Sequence, residues 1–126
     1  MGDLSRNFDR REFACKCGCR SDDISLDVVE MCQTIRDAVG VPVTITSGCR
    51  CESRNAQAGG VKGSYHTKGR AADLQCSAGS RALFLAVKTL HKAGRLPKLA
   101  YCKRYVKKNF IHIDCGEPRK NRFAEE

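Results

Sequence analysis

The apolar positions of this chain switch between two periods. Val28, Cys32, Ile35 and Val39 recur at helical spacing, which predicts a helix capped by Asp22 or Asp23 and stopped by Gly40. Pro42 then leads into V-T-I-T, a β-branched run that reads as a strand. Residues 47–65 lose the apolar pattern and carry four glycines, which predicts a long loop of the kind that carries function in a small domain. Ala71 to Cys76 reads as a second strand. Ser77 or Ser80 can cap a second helix that buries Leu83, Val87 and Leu90 and ends at Gly94. Residues 99–102 and 110–115 read as further strands, joined by a basic turn over 103–109. Two main helices and three or four short strands predict an α+β fold with a small, mostly antiparallel sheet, as a single domain over residues 1–126.

Size and charge narrow this picture. At 126 residues and 13.9 kDa the chain has room for one core. No apolar run approaches the roughly 20 residues that span a bilayer. Residues 1–13 hold no apolar signal core, so the expectation is a protein made in the cytoplasm without a signal peptide. The net charge of +9 is uneven: residues 95–122 carry 9 basic and 2 acidic side chains, which favours a polyanionic partner. Nucleic acid, an anionic membrane surface and an anionic cell wall all answer to that sign. The absence of Trp and 6% aromatic content argue against a stacking surface for single-stranded nucleic acid.

Nine cysteines form an odd set that cannot pair completely within one chain. Cys15, Cys17 and Cys19 stand close together, as do Cys49 and Cys51. C-x-C-x-C fits the usual C-x2–4-C spacing of zinc modules poorly. Reduced structural thiols, a thiol-bound metal and later disulfides all remain open, and none of the nine is the candidate nucleophile.

Two of the three histidines stand in informative company. The stretch 64–73 (SYHTKGRAAD) leaves the long loop and enters a strand, so His66 and Asp73 can converge. In H-I-D at 112–114, strand alternation puts His112 and Asp114 on one face and Ile111 and Ile113 on the other. Two imidazoles and a carboxylate form a three-ligand set typical of catalytic zinc, with a fourth position open for a water whose pKa falls to about 7. The bland alternative makes His66 a loop hydrogen-bonder and His112 a satisfied strand histidine. His91 reads as a helix-surface residue.

These pieces, in order, resemble the peptidase M15 family of zinc peptidoglycan peptidases, the D-alanyl-D-alanine carboxypeptidase-like group that includes small phage endolysins. The resemblance runs through Glu12-Phe13, C-x-C-G-C at 15–19, S-G-x-R at 47–50, Asn55, Gly59-Gly60-Val61, S-x-H-x-x-G-x-A-x-D at 64–73 and F-I-H-I-D at 110–114. It implies a hedgehog/D-Ala-D-Ala peptidase-like domain with one catalytic zinc ion held by His66, Asp73 and His112. It further implies Arg50 as the oxyanion-stabilising group and Ser64 as a substrate-contacting hydroxyl, with Tyr101 available to line the cleft. The better-known branches place an acidic residue a few positions before the last histidine ligand. Here Asn109 lies three before His112, and no carboxylate occurs between Asp73 and Asp114. Asp114 is therefore the candidate proton shuttle, or alternatively a group that orients its neighbours.

The resemblance implies hydrolysis of peptidoglycan stem peptides, most directly of the D-Ala-D-Ala bond. L-Ala-D-Glu endopeptidase activity, and a non-catalytic zinc-bound wall-binding or virion protein, are the alternatives. The implied partners are the stems and anionic wall polymers or an outer membrane, with no specific nucleic acid. The implied setting is a monomer acting at the cell wall or periplasm as a phage or prophage product.

Overall fold

The computed structural model describes residues 2–16, 22–57, 64–117 and 121–126. Five strands form one sheet in the order β1-β2-β4-β3-β5, with β1 Val43–Ser47, β2 Ala71–Cys76, β3 Tyr101–Tyr105, β4 Phe110–Asp114 and β5 Phe123–Glu125. All pairings are antiparallel except β3 with β5, which is parallel. Two main helices, α1 Leu26–Val39 and α3 Ser80–Lys92, join the core, and a short α2 spans Glu52–Gln57. The fold is α+β. No helix among the described residues is long and apolar enough to cross a membrane.

The two-residue period of the strands decides which sheet face meets the core. Ile45, Ala72, Leu74, Cys102, Ile111 and Ile113 are buried in one apolar cluster with Val28, Cys32 and Ile35 of α1 and Leu83, Val87 and Leu90 of α3. The opposite positions of the central strands, Asp73, Tyr101, Lys103 and His112, share the other face. Sheet register sets Asp73 beside His112 on β4, and Lys103 beside His112 on β3. Between Ile45 and Ser47 the β1 register slips by one residue, which brings Ser47 opposite Asp73.

Helix ends depart from the sequence reading in informative ways. Helix α1 is capped by Ser25, whose hydroxyl accepts from the Asp27 N–H, rather than by Asp22 or Asp23. Gly40, in left-handed conformation, ends it as expected. Neither Ser77 nor Ser80 caps α3, since the cap position is Gly79 and Ser80 is already helical. The cap comes from across the fold: the Asn109 amide oxygen accepts from the Ser80 N–H at 2.8 Å. Asn109 itself sits at φ +55°, a left-handed conformation that Asn tolerates in the turn between β3 and β4. Asn109→Gly keeps that backbone and deletes only the cap. It is expected to cost about 1 kcal/mol, or a melting-temperature drop of about 4 °C, with metal content unchanged by mass spectrometry.

Candidate metal centre

Three elements bring the site together. A one-turn 3-10 helix, Tyr65–Lys68, carries His66; β2 carries Asp73; β4 carries His112. The 3-10 turn is fixed at both ends. The Ser64 hydroxyl accepts from the His66 N–H at its start. Gly69, at φ +68°, closes it, and the Gly69 carbonyl accepts from the Ser25 N–H at 2.7 Å. A Cβ on Gly69 would collide with the Asp23 carbonyl oxygen.

One ligand atom from each of His66, Asp73 and His112 lies within 4.8 Å of the others. Asp73 Oδ1 is 3.2 Å from His66 Nε2 and 3.2 Å from His112 Nδ1. Each imidazole has its other nitrogen committed elsewhere. His66 Nδ1 is 2.8 Å from the Gly48 carbonyl oxygen, to which it can only donate. His112 Nε2 is 2.7 Å from Asp114 Oδ2 and donates to that carboxylate. In their neutral tautomers both rings therefore aim a lone pair at the same carboxylate oxygen. Two lone pairs and an anion attract only if a cation or a proton lies among them. The donor set of two imidazole nitrogens and one carboxylate oxygen thus fits a divalent metal such as zinc.

The titration behaviour has the same origin. Burial alone would raise the Asp73 carboxyl, but hydrogen bonds from His112 and His66, with their charge, hold it well below the usual carboxylate range. Burial alone would lower His112, but hydrogen bonds to Asp114 and Asp73 raise it above its ordinary 6.5. Without metal, Asp73 contributes stability that is present above its ordinary 3.8 and is lost as pH falls through its depressed value. His112 contributes stability that is full below 6.5 and is lost as pH rises through its raised value. Metal needs the His112 lone pair and so competes with that proton. The zinc-induced rise in melting temperature is therefore expected to grow from about pH 5.5 to about pH 8, and a thermal-shift series with and without chelator measures it.

Around this group the other expected residues take defined places. Arg50 reaches Asp73 Oδ2, the oxygen turned away from the imidazoles, at 3.3 Å. Its guanidinium is positioned by the Ser47 hydroxyl at 2.9 Å and the Asn55 amide oxygen at 3.3 Å. Asp114 is 0% exposed and meets His112 on the ring nitrogen opposite the one that faces Asp73. That geometry suits a group that orients the ring, the second of the two roles expected for Asp114. Tyr101 lies on the site face, its ring 6.0 Å from that of His112. The Ser64 hydroxyl caps the His66 turn. His91 is half-buried, its ring 5.6 Å from that of Phe123.

Several residues, Asn55 and Gly48 among those that carry the resemblance, take parts in the site that the sequence reading did not give them. Asn55 is buried inside a helix that falls within the predicted loop, and Gly48 serves the site through its backbone oxygen alone. Lys103 was assigned to a turn, yet it belongs to β3, beside His112. The only signal that could have found it is the two-residue alternation with Tyr101 and Tyr105. Cys17, Cys19 and Gly59-Gly60-Val61 lie outside the described residues.

His66, Asp73 and His112 thus form a largely buried group that could hold a metal ion, with Arg50 on the same carboxylate. The family model described as Peptidase M15 matches residues 6–114, and the chain belongs to that peptidase family. No curated protein matches the sequence.

Proposed function

We propose that the chain is a zinc-dependent peptidase that hydrolyses peptidoglycan stem peptides, of the D-Ala-D-Ala carboxypeptidase type. The observation that carries this reading is the convergence of two imidazole lone pairs on one oxygen of Asp73. His66, Asp73 and His112 would hold one zinc ion. When bound, that ion supplies Lewis acidity to a water and to the scissile carbonyl at neutral pH. Arg50, permanently charged and held against Asp73, is in place to receive the negative charge that develops on the carbonyl oxygen. Asp114 keeps the His112 ring in the tautomer that offers Nδ1. Lys103, beside His112 in the sheet register, brings an ammonium to the same face, where it rests over the Tyr105 ring, 4.8 Å from its centroid. A cation there suits a substrate with a free carboxylate next to the scissile bond, as a terminal D-Ala has, and this favours the carboxypeptidase type over an L-Ala-D-Glu endopeptidase. Lys103→Met is expected to raise KM for a stem peptide ending in D-Ala-D-Ala about tenfold with kcat nearly unchanged, a loss of about 1.4 kcal/mol of uniform binding.

Digestion of muropeptides by the zinc-loaded protein, read by mass spectrometry, tests the reading. Loss of one terminal alanine supports it. Release of the whole stem would assign the endopeptidase activity, and no product at full zinc occupancy would end the catalytic reading. The basic surface suits anionic wall polymers or an outer membrane, with an affinity that weakens in salt. The reading therefore includes action at the wall or periplasm, as a monomeric phage or prophage product.

One observation favours a second reading, a zinc-bound wall-binding or virion protein without activity. Asn109 occupies the stretch where better-known branches carry an acid, and its side chain is engaged by α3. Such a protein would still pellet with murein after His66→Ala and would release no product with zinc restored.

A further inference from the structure

Away from the histidine–aspartate group, two thiols from distant parts of the chain meet. Cys15 Sγ and Cys51 Sγ lie 3.8 Å apart. A disulfide needs about 2.05 Å, so these sulfurs are not bonded to each other. Two thiolates at about 2.3 Å from one tetrahedral cation stand about 3.8 Å from each other. Each sulfur also receives a backbone donor: the Cys51 N–H points to Cys15 Sγ at 3.4 Å, and the Arg54 N–H points to Cys51 Sγ at 3.4 Å. Donors of this kind stabilise negative charge on sulfur, the form that binds metal. Cys49 lies within electrostatic reach of Cys15 but is not one of the two touching sulfurs. It packs in the apolar core, and burial pushes its thiol up to about 11.

We propose that Cys15 and Cys51 are two thiolate ligands of a second metal site, for a thiophilic divalent cation such as zinc, with a structural role. The backbone around the pair shows what such an ion would hold together. The Phe13 carbonyl accepts from the Cys49 N–H at 2.7 Å, and a Cβ on Gly48 would fall 2.6 Å from that carbonyl oxygen. Residues 13–15 and 48–51 thus already lie side by side. The second segment carries the Gly48 oxygen that orients His66 and the Arg50 side chain that meets Asp73. An ion on Cys15 and Cys51 ties this segment to the N-terminal strap at the residue next to Arg50. The inference stands on the sulfur geometry and is independent of the peptidase reading.

Metal content and cobalt spectra of the full chain test it. Cobalt-loaded protein is expected to show the near-ultraviolet charge-transfer band of a cobalt–thiolate bond. That band should survive in His66→Ala/His112→Ala, which should retain one ion per chain. Cys15→Ser and Cys51→Ser should each lose the band and one ion, while Cys76→Ser should keep both. Should the serine variants fail to fold, the wild-type protein still decides. Titration of the folded zinc form with an organomercurial should release one equivalent of zinc to a chromogenic chelator. One ion in wild type with no thiolate band would overturn the proposal. So would a Cys15–Cys51 disulfide, found by non-reducing peptide mapping of freshly purified protein with its metal content intact.

Discussion

Asp73→Asn is expected to leave a folded protein that no longer retains zinc, with muropeptide cleavage reduced on the order of a thousandfold or more. The size of the effect follows from the several tasks of one carboxylate. Oδ1 faces both imidazole lone pairs and Oδ2 faces Arg50. An asparagine can turn its amide nitrogen toward a lone pair and donate to it. It thereby fills the place of the cation without supplying the charge that draws one in. Its oxygen can still accept from Arg50, so the fold is retained. Asp73→Ala differs because it leaves the nearly buried guanidinium unpaired. That variant should lose about 3 kcal/mol of stability as well as the metal. Elemental analysis, thermal melts and the muropeptide assay on the two variants separate these effects. Full zinc and full activity in Asp73→Asn would show that the ligand assignment is wrong.

Asp114→Asn discriminates between orientation and proton transfer at the other end of His112. With its carboxylate neutralised, the His112 ring loses the partner that fixes its tautomer and makes Nδ1 a stronger donor. Zinc affinity is expected to fall about 10- to 100-fold, the usual cost of removing such a partner. If Asp114 only positions the ring, excess zinc restores most of kcat and leaves the pH profile of the loaded enzyme nearly unchanged. If Asp114 moves the proton, a loaded variant stays slow at every zinc concentration and its pH–rate limb disappears. The buried carboxylate, bonded to the ring from the side away from Asp73, favours the first outcome.

Much of this was readable from residue order because hydrophobic burial leaves a periodic trace. β2 spans the residues its apolar run marks, and Val28, Cys32, Ile35, Leu83, Val87 and Leu90 are buried as their spacing requires. His66, Asp73 and His112 could be nominated because their chemistry is rare in this chain. The unread parts share a physical cause, which is burial without hydrophobicity. Helix α2 has Asn55 as its buried residue, satisfied by Arg50, so residues 47–65 show no apolar period to betray a helix. The strand predicted at 99–102 starts at Tyr101 and runs on through Lys103 and Arg104 to Tyr105, because only its Cys102 side meets the core. The parallel strand Phe123–Glu125 is three residues long, too short for any period to register. The caps misled for a related reason: several side chains near a helix start can accept, and tertiary placement chose Ser25 and Asn109.

The contact between Gly69 and the start of α1 has an engineering consequence. The turn that presents His66 uses the chain just before that helix as its back wall, with no room for even a methyl group between them. A designer transplanting this histidine loop into another scaffold must carry residues 23–25 along with 64–73, and the two pieces must arrive as one rigid graft.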